Sequence, residues 1–202
     1  MTDVNTILST MTISERRLKH TLGVAEAAKE LAKTHFPELD LKSVELAAIM
    51  HDYTKEYPLE RHLELFSLFG IEVTENDIIN HKLLHGKTAA LIARHDFGLD
   101  EETCSAIYWH TTGRPDMTPF EIVIYLGDYI EEFRDDASCI QLREFYKKSL
   151  VKDGKRTALV KTLVRSFDTT LKHLIASEKT IDENTIKARN FYLKQLNEIT
   201  KG

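Results

Sequence analysis

The chain has 202 residues, 42% of them hydrophobic, and a formal net charge of −5. One sizeable core is within reach, so a single domain over residues 1–202 is expected, and the negative balance argues against nucleic acid or another polyanion as the partner. Eight glycines and four prolines are few for a β-rich or loop-rich protein, and no apolar run reaches the length of a membrane span.

The start, Met1-Thr2-Asp3-Val4-Asn5, has neither the basic nor the apolar stretch of a secretory leader. Thr12-Ile13-Ser14-Glu15 reads as a capping box opening a helix through about Thr34. Asp40 can cap a second helix, supported by Val44, Ala47, Ala48 and Met50, that runs up to His51-Asp52. Pro58 begins a short helix that stops near Gly70. A helix from about Asn80 to Asp96 carries His81 and His85 four residues apart, on one face. Asp100 caps another that ends near His110, and Gly113, Pro115 and Pro119 mark the loop after it. Thr118-Pro119-Phe120-Glu121 joins a capping box to a proline at the first helical position and starts a helix that presents Asp128. From Ala137 to about Ser177, and again after Asp182, the pattern is helical with mixed charge. The expected fold class is all-α, a helical bundle. Cys104 and Cys139 lie in helical contexts without a CxxC spacing, which reads as two buried thiols in a reducing cytoplasm.

Across these helices stand residues that suit hard divalent ions: His20, His51-Asp52, His85 before a glycine, His110 before a threonine, and Asp128. Four imidazoles and two carboxylates are enough for two ions, with Asp52 free to bridge them. Ligands on separate helices converge only inside a bundle. His51 and Asp52 diverge by about 100° on a regular helix, so both reach one site only if the helix ends or distorts there, and the Tyr53-Thr54-Lys55 segment and Pro58 supply a place for it to end. A His-Asp pair alone proves little, since the chain has a second one, His95-Asp96. That pair precedes Phe97-Gly98, where a histidine at a helix end complements the dipole. His51-Asp52 instead follows the apolar run Leu46–Met50, where an unpaired aspartate would cost several kcal/mol.

The ordered set H…HD…HG…HT…D resembles the HD-domain metal-dependent phosphohydrolases. The blocks around it, Arg16–Ala25, His51–Lys55, Leu84–Gly86, Ala106–Gly113 and Tyr125–Arg134, are similar to the YqeK-type branch, the bacterial symmetrical bis(5'-nucleosyl)-tetraphosphatases. Residues Thr185–Leu193 are similar to that family's C-terminal segment, and Gly127 departs from it where alanine is commoner. The resemblance implies an HD-domain bundle with a motif-bearing core over about 12–134 and C-terminal helices over about 137–202. It makes His20, His51, Asp52, His85, His110 and Asp128 the metal ligands of a binuclear centre in the bundle interior. Iron is the implied metal, with manganese or zinc as alternatives. The implied reaction splits diadenosine tetraphosphate into two ADP, with Asp52 as bridge and orienter of the water. Other readings are a different HD enzyme, nucleotidase or phosphodiesterase, and a non-catalytic nucleotide- or metal-binding protein. The partner is then a small dinucleoside polyphosphate, not nucleic acid or membrane, and a homodimer stays open.

Lys55, three residues past Asp52, is expected to touch substrate phosphate and to share in catalysis. Arg134 divides evenly between phosphate contact and pairing with Glu131 or Asp135. Arg17, three residues before His20, could lean toward the site but reads first as a solvated arginine, and His35, His62 and His173 read as surface residues. His81 lacks the glycine that follows His85 and so ranks behind it as a ligand. Trp109 and the aromatic residues of the last helices read as core.

Overall fold

The computed structural model describes residues 3–201, with Asn76 described by its backbone only; Met1, Thr2 and Gly202 lie outside the described residues. These contain eleven α-helices, one 3₁₀ turn and no strand, so the all-α expectation holds. The helices are α1 (Val4–Thr10), α2 (Glu15–His35), α3 (Leu41–Met50), α4 (Leu59–Leu68), α5 (Glu75–Ile79) and, after the 3₁₀ turn His81–Leu83, α6 (Leu84–His95). They continue with α7 (Glu101–Trp109), α8 (Pro119–Ile130), α9 (Ala137–Asp153), α10 (Lys155–Ala176) and α11 (Glu183–Lys201).

Helix α8 is apolar over most of its surface, as a central helix must be: Phe120, Ile122, Val123, Ile124, Tyr125, Leu126 and Ile130 are all buried. It begins at the predicted capping box, with Thr118 and Glu121 satisfying each other's backbone N–H and Pro119 at the start. Helices α2, α7 and α9 pack on it, α3 packs on α2, and α6 on α7. At Gly127 an added Cβ would lie 3.2 Å from Ala28 Cβ and from its backbone nitrogen, so glycine lets α8 sit close against α2. Helices α9, α10 and α11 pack in series beside this core.

Three local readings change, and one short helix is new. The cap of α2 is Ser14 rather than Thr12: its Oγ accepts from Arg17 N, while its own N–H and hydroxyl donate to Glu56 at 2.9 and 2.7 Å. A carboxylate distant in sequence thus takes the part assigned to Glu15. Second, the helix at 80–96 starts later, because Leu84 opens α6 and His81 sits on the 3₁₀ turn before it. Third, the stretch from 137 to 177 breaks at Gly154, whose φ of 80° lies in the left-handed region. Last, α1 carries too short a signal to read, although Asp3 caps it and Ile7 is buried.

His35 is half-buried rather than a surface residue, its Nε2 being 2.8 Å from Tyr146 Oη. Burial, aided by Lys155, pushes its pKa from 6.5 down to about 4. The unfolded chain therefore binds a proton that the folded one rejects, and stability present above pH 6.5 is lost as pH falls toward 4. With part of the ring still exposed, the expected loss is about 1–2 kcal/mol. Urea titrations from pH 7 to pH 4 should show this slope shrinking by that amount in His35→Gln. An unchanged difference between the two proteins across that range would refute it.

Candidate metal centre

Helix α3 ends at Met50, and the following residues form tight turns, with Tyr53 N donating to Met50 O and Lys55 N to Asp52 O, both at 3.0 Å. That is the helix end which the His51-Asp52 pair requires, and both side chains face one site. The structure brings all six predicted residues together there, from α2, the α3 end, α6, the α7 end and α8. Asp52 lies at the middle. Its Oδ2 is 3.4 Å from His51 Nε2 and 3.6 Å from His20 Nε2. Its Oδ1 is 3.1 Å from His85 Nε2 and 3.6 Å from His110 Nε2. Asp128 Oδ1 closes the first side, 3.0 Å from His20 Nε2 and 3.7 Å from His51 Nε2. Two triads with ligand atoms close enough to share an ion result, His20–His51–Asp52 and Asp52–His85–His110.

Three of the histidines are set by one device. The Nδ1 of His51, His85 and His110 each lies 2.6 Å from the carbonyl three residues earlier, on Ala48, Lys82 and Ile107. A carbonyl only accepts, so Nδ1 carries a proton and each Nε2 is turned into the site, as a lone pair on the neutral rings of His85 and His110. The Nε2 atoms of His85 and His110 then face each other at 3.0 Å, an arrangement that calls for a cation. Nε2 of His20, Nε2 of His51 and Oδ1 of Asp52 are buried without a hydrogen bond. Leaving such groups unsatisfied is costly, and imidazole with carboxylate suits a first-row metal, so the donor set fits a metal centre.

Burial opposes charge on both carboxyls, yet they are held well below the usual carboxylate range: Asp52 by His51 and Lys55, Asp128 by Arg134 and His20. Burial disfavours the imidazolium of His51, but Asp52 and Asp128 outweigh it and lift the group to about 9. Burial and then Lys55 push His85 down to about 4, and burial lowers His110. One end of the site holds neutral rings and the other a protonated one, so an ion entering at His51 must displace a proton.

Cations surround this cluster. Lys55 Nζ is 3.0 Å from His85 Nε2 and 3.6 Å from Asp52 Oδ1. Arg134 pairs with neither Glu131 nor Asp135; its Nη2 donates to Asp128 Oδ1 and its Nε to the Asp128 carbonyl, both at 2.6 Å. Arg17 is the largest departure from the sequence reading, since its Nη1 donates to Asp52 Oδ2 at 2.5 Å. Its position one helical turn before His20 was the available signal.

Further residues escaped the sequence. Glu131, buried, places Oε1 3.1 Å from His20 Nδ1 and so orients that ring. Thr111 Oγ1 is 3.0 Å from His110 Nε2 and 3.3 Å from His85 Nε2. His62 is buried, not on the surface: Nδ1 meets Thr88 Oγ1 at 2.8 Å, Thr88 meets Thr54, and Thr54 donates to the His85 carbonyl at 2.9 Å. Its flanking charges hid it, because long polar side chains on neighbouring turns give no sign of what lies inward. His81, His95 and His173 are exposed, and none belongs to either triad. His95 stacks on Phe69 at the end of α6. Trp109 is half-buried rather than core.

The glycine of His85-Gly86 has a packing reason. A Cβ there would stand 3.0 Å from the Tyr108 carbonyl and 3.4 Å from His110 Cε1, so Gly86 lets α6 and α7 bring their histidines together. Gly86→Val is expected to cost about 1–3 kcal/mol and to force the helices apart. Thermal unfolding of the metal-free protein measures the first, and a melting point equal to wild type would contradict it.

The family model of the HD domain matches residues 17–132, the stretch that holds all six residues. The chain is 33% identical over 184 residues to the symmetrical bis(5'-nucleosyl)-tetraphosphatase of Staphylococcus aureus, covering 89% of this chain and 88% of that one. It is 32% identical over 182 residues to the protein of the same name from Bacillus subtilis, covering 89% and 90%. It belongs to this family of HD-domain proteins. A crystal structure from Clostridium acetobutylicum, described as a predicted HD superfamily hydrolase involved in NAD metabolism, superposes with a TM-score of 0.84. The two are 34% identical, and the match covers 96% of this chain and 99% of that one.

Proposed function

We propose that the protein, acting as one HD domain, hydrolyses diadenosine tetraphosphate at its centre, adding one water to give two ADP. The observation that carries this reading is the position of Asp52, each oxygen of which faces a different pair of histidines. On that basis His20, His51, Asp52 and Asp128 would hold one ion and Asp52, His85 and His110 a second, with iron first among the metals and manganese or zinc behind it. When bound, such a pair supplies a nucleophile at neutral pH and polarises phosphoryl oxygens. Asp52 also orients the attacking water. Lys55 and Arg134, each about one-third exposed, hold the phosphates on either side and offset charge in the transition state. Arg17 stands beside Asp52 and adds a third positive group. Among the described residues no helix is long and apolar enough to cross a membrane. Two buried free cysteines favour the cytoplasm as the place of action.

The deciding experiment gives metal-loaded protein diadenosine tetraphosphate, mononucleotides and cyclic dinucleotides in parallel. Turnover of the first alone, at rates well above the rest, is expected. Preference for a mononucleotide or a cyclic dinucleotide would transfer the chain to a different HD activity.

A further inference from the structure

Helix α8 ends where Glu131 turns to a ψ of 150°, and residues 131–134 carry the chain toward α9. This turn sends two side chains back to the candidate metal centre. Glu131, 1% exposed, accepts from His20 Nδ1 through Oε1, while its Oε2 accepts from Phe133 N at 2.5 Å. Arg134 donates to both the carboxylate and the carbonyl of Asp128. The ring of His20 and the carboxylate of Asp128 are therefore only as fixed as the turn that supports them.

Helix α9 grips that turn. Arg143, 8% exposed, donates from Nε to the Ile130 carbonyl at 2.9 Å, and from Nη2 to the carbonyls of Glu131 and Arg134 at 2.5 and 2.9 Å. Its Nη1 lies 3.6 Å from Glu132 Oε2, and Lys147, one helical turn on, meets Glu132 Oε1 at 2.9 Å. The first two carbonyls belong to the end of α8, where a cation complements the helix dipole. The third does nothing for the helix. Arg134 lies four residues past Ile130, so a bond to its carbonyl fixes the course of the turn, and the rigid fork of a guanidinium suits that task. On the other side Gly23 of α2 leaves the room required: a Cβ there would overlap the Glu131 carboxylate and stand 2.8 Å from Phe133 Cδ2.

We infer that Arg143 is a positioning residue for the Asp128 side of the centre. By clamping three carbonyls it holds Glu131 on His20 and Arg134 on Asp128, and so sets the geometry in which His20, His51, Asp52 and Asp128 receive an ion. Its hydrogen bonds go to backbone and to none of those four. Arg143 also lies beyond residues 17–132, the stretch that the HD-domain model matches, so this half of the centre depends on a helix outside it. The consequence for the ion rests on the reading of those four residues as ligands; the grip on the turn does not.

The test titrates Mn(II) alone into the purified protein. In a His85→Ala background the Asp128-side site is left, and Arg143→Met is expected to weaken Mn(II) binding there at least tenfold. In a His20→Ala background, which keeps Asp52, His85 and His110, the same change should stay within twofold. Leu142→Ala removes buried core from α9 beside the clamp; it should lower the melting temperature and leave both affinities within twofold. Gly23→Ala is the second variant. Alanine favours a helix, so the fold is kept, but its methyl displaces the Glu131 carboxylate and should give the same selective tenfold loss. In metal-free protein, the proton that His20 shares with Glu131 should give a low-field imidazole signal by NMR, identified by its loss in His20→Ala. That signal is expected to disappear in Arg143→Met and in Gly23→Ala. Unchanged affinity in the His85→Ala background, equal losses in the two backgrounds, or a loss in Leu142→Ala as large as in Arg143→Met overturns the assignment. A wild type that binds no Mn(II) refutes the ion site; the imidazole signal then decides the clamp, which falls if neither variant alters it.

Discussion

Asp52→Ala is expected to remove hydrolysis, lowering kcat/KM by at least about 10³-fold, equivalent to about 4 kcal/mol of transition-state stabilisation. Both triads lose a member at once, because Asp52 belongs to each. The fold should survive. Helix α3 is held by Val44, Leu46, Ala47, Ala48, Ile49 and Met50, all buried in the core, and none of these contacts depends on the carboxylate. Far-ultraviolet circular dichroism should therefore match wild type while metal analysis of the variant shows a reduced content. Asp96→Ala, in the second His-Asp pair, is the control: Asp96 is exposed at the end of α6, and its loss should leave activity unchanged. Near-normal turnover in Asp52→Ala would eliminate the bridging role and with it the binuclear reading.

Diadenosine tetraphosphate is expected to yield ADP alone, with neither AMP nor ATP, when products are resolved by chromatography at low conversion. The geometric reason is that, if Asp52 serves both triads, the centre would present one position for the reacting phosphorus, and the cations would stand on both sides of it. Lys55 is at the His85 end and Arg134 at the Asp128 end. Each can hold the phosphate next to the one attacked. Lys55→Ala should then raise KM and lower kcat together, by about 10²-fold in kcat/KM, since a charged group that binds substrate and also steadies the transition state contributes to both. Equal amounts of AMP and ATP would mean attack at an outer phosphorus and a different alignment of the chain. Loss in KM alone would reduce Lys55 to a binding residue.

Much of this was legible without coordinates. Local rules carry the caps at Asp40, Asp100 and Thr118, because a cap involves only a side chain and the three or four residues after it. Composition carries the all-α class. The six convergent residues are recognisable because histidine and aspartate next to apolar helix faces have few other uses, and because their order matches that of a known family. The sequence also implied that the α3 helix must end or distort at His51, since adjacent side chains on a regular helix could not share a site.

What the sequence could not determine are interactions between residues far apart in the chain. Glu56 completes the cap of α2 from 42 residues away, and no local pattern announces that. Arg17 reads as solvated from its neighbours, yet a helix crossing places it 2.5 Å from a carboxylate 35 residues on. His62 sits among charged residues and still turns inward onto Thr88. Glu131 becomes the partner of His20 only when α2 lies along the end of α8. Cavities likewise exist only as spaces between helices. The sequence by itself determined which side chains can do the chemistry, because residue type and short-range helix geometry are local properties. Tertiary structure alone decided which charges meet, which rings turn inward and where a substrate has room, because those depend on how the helices pack.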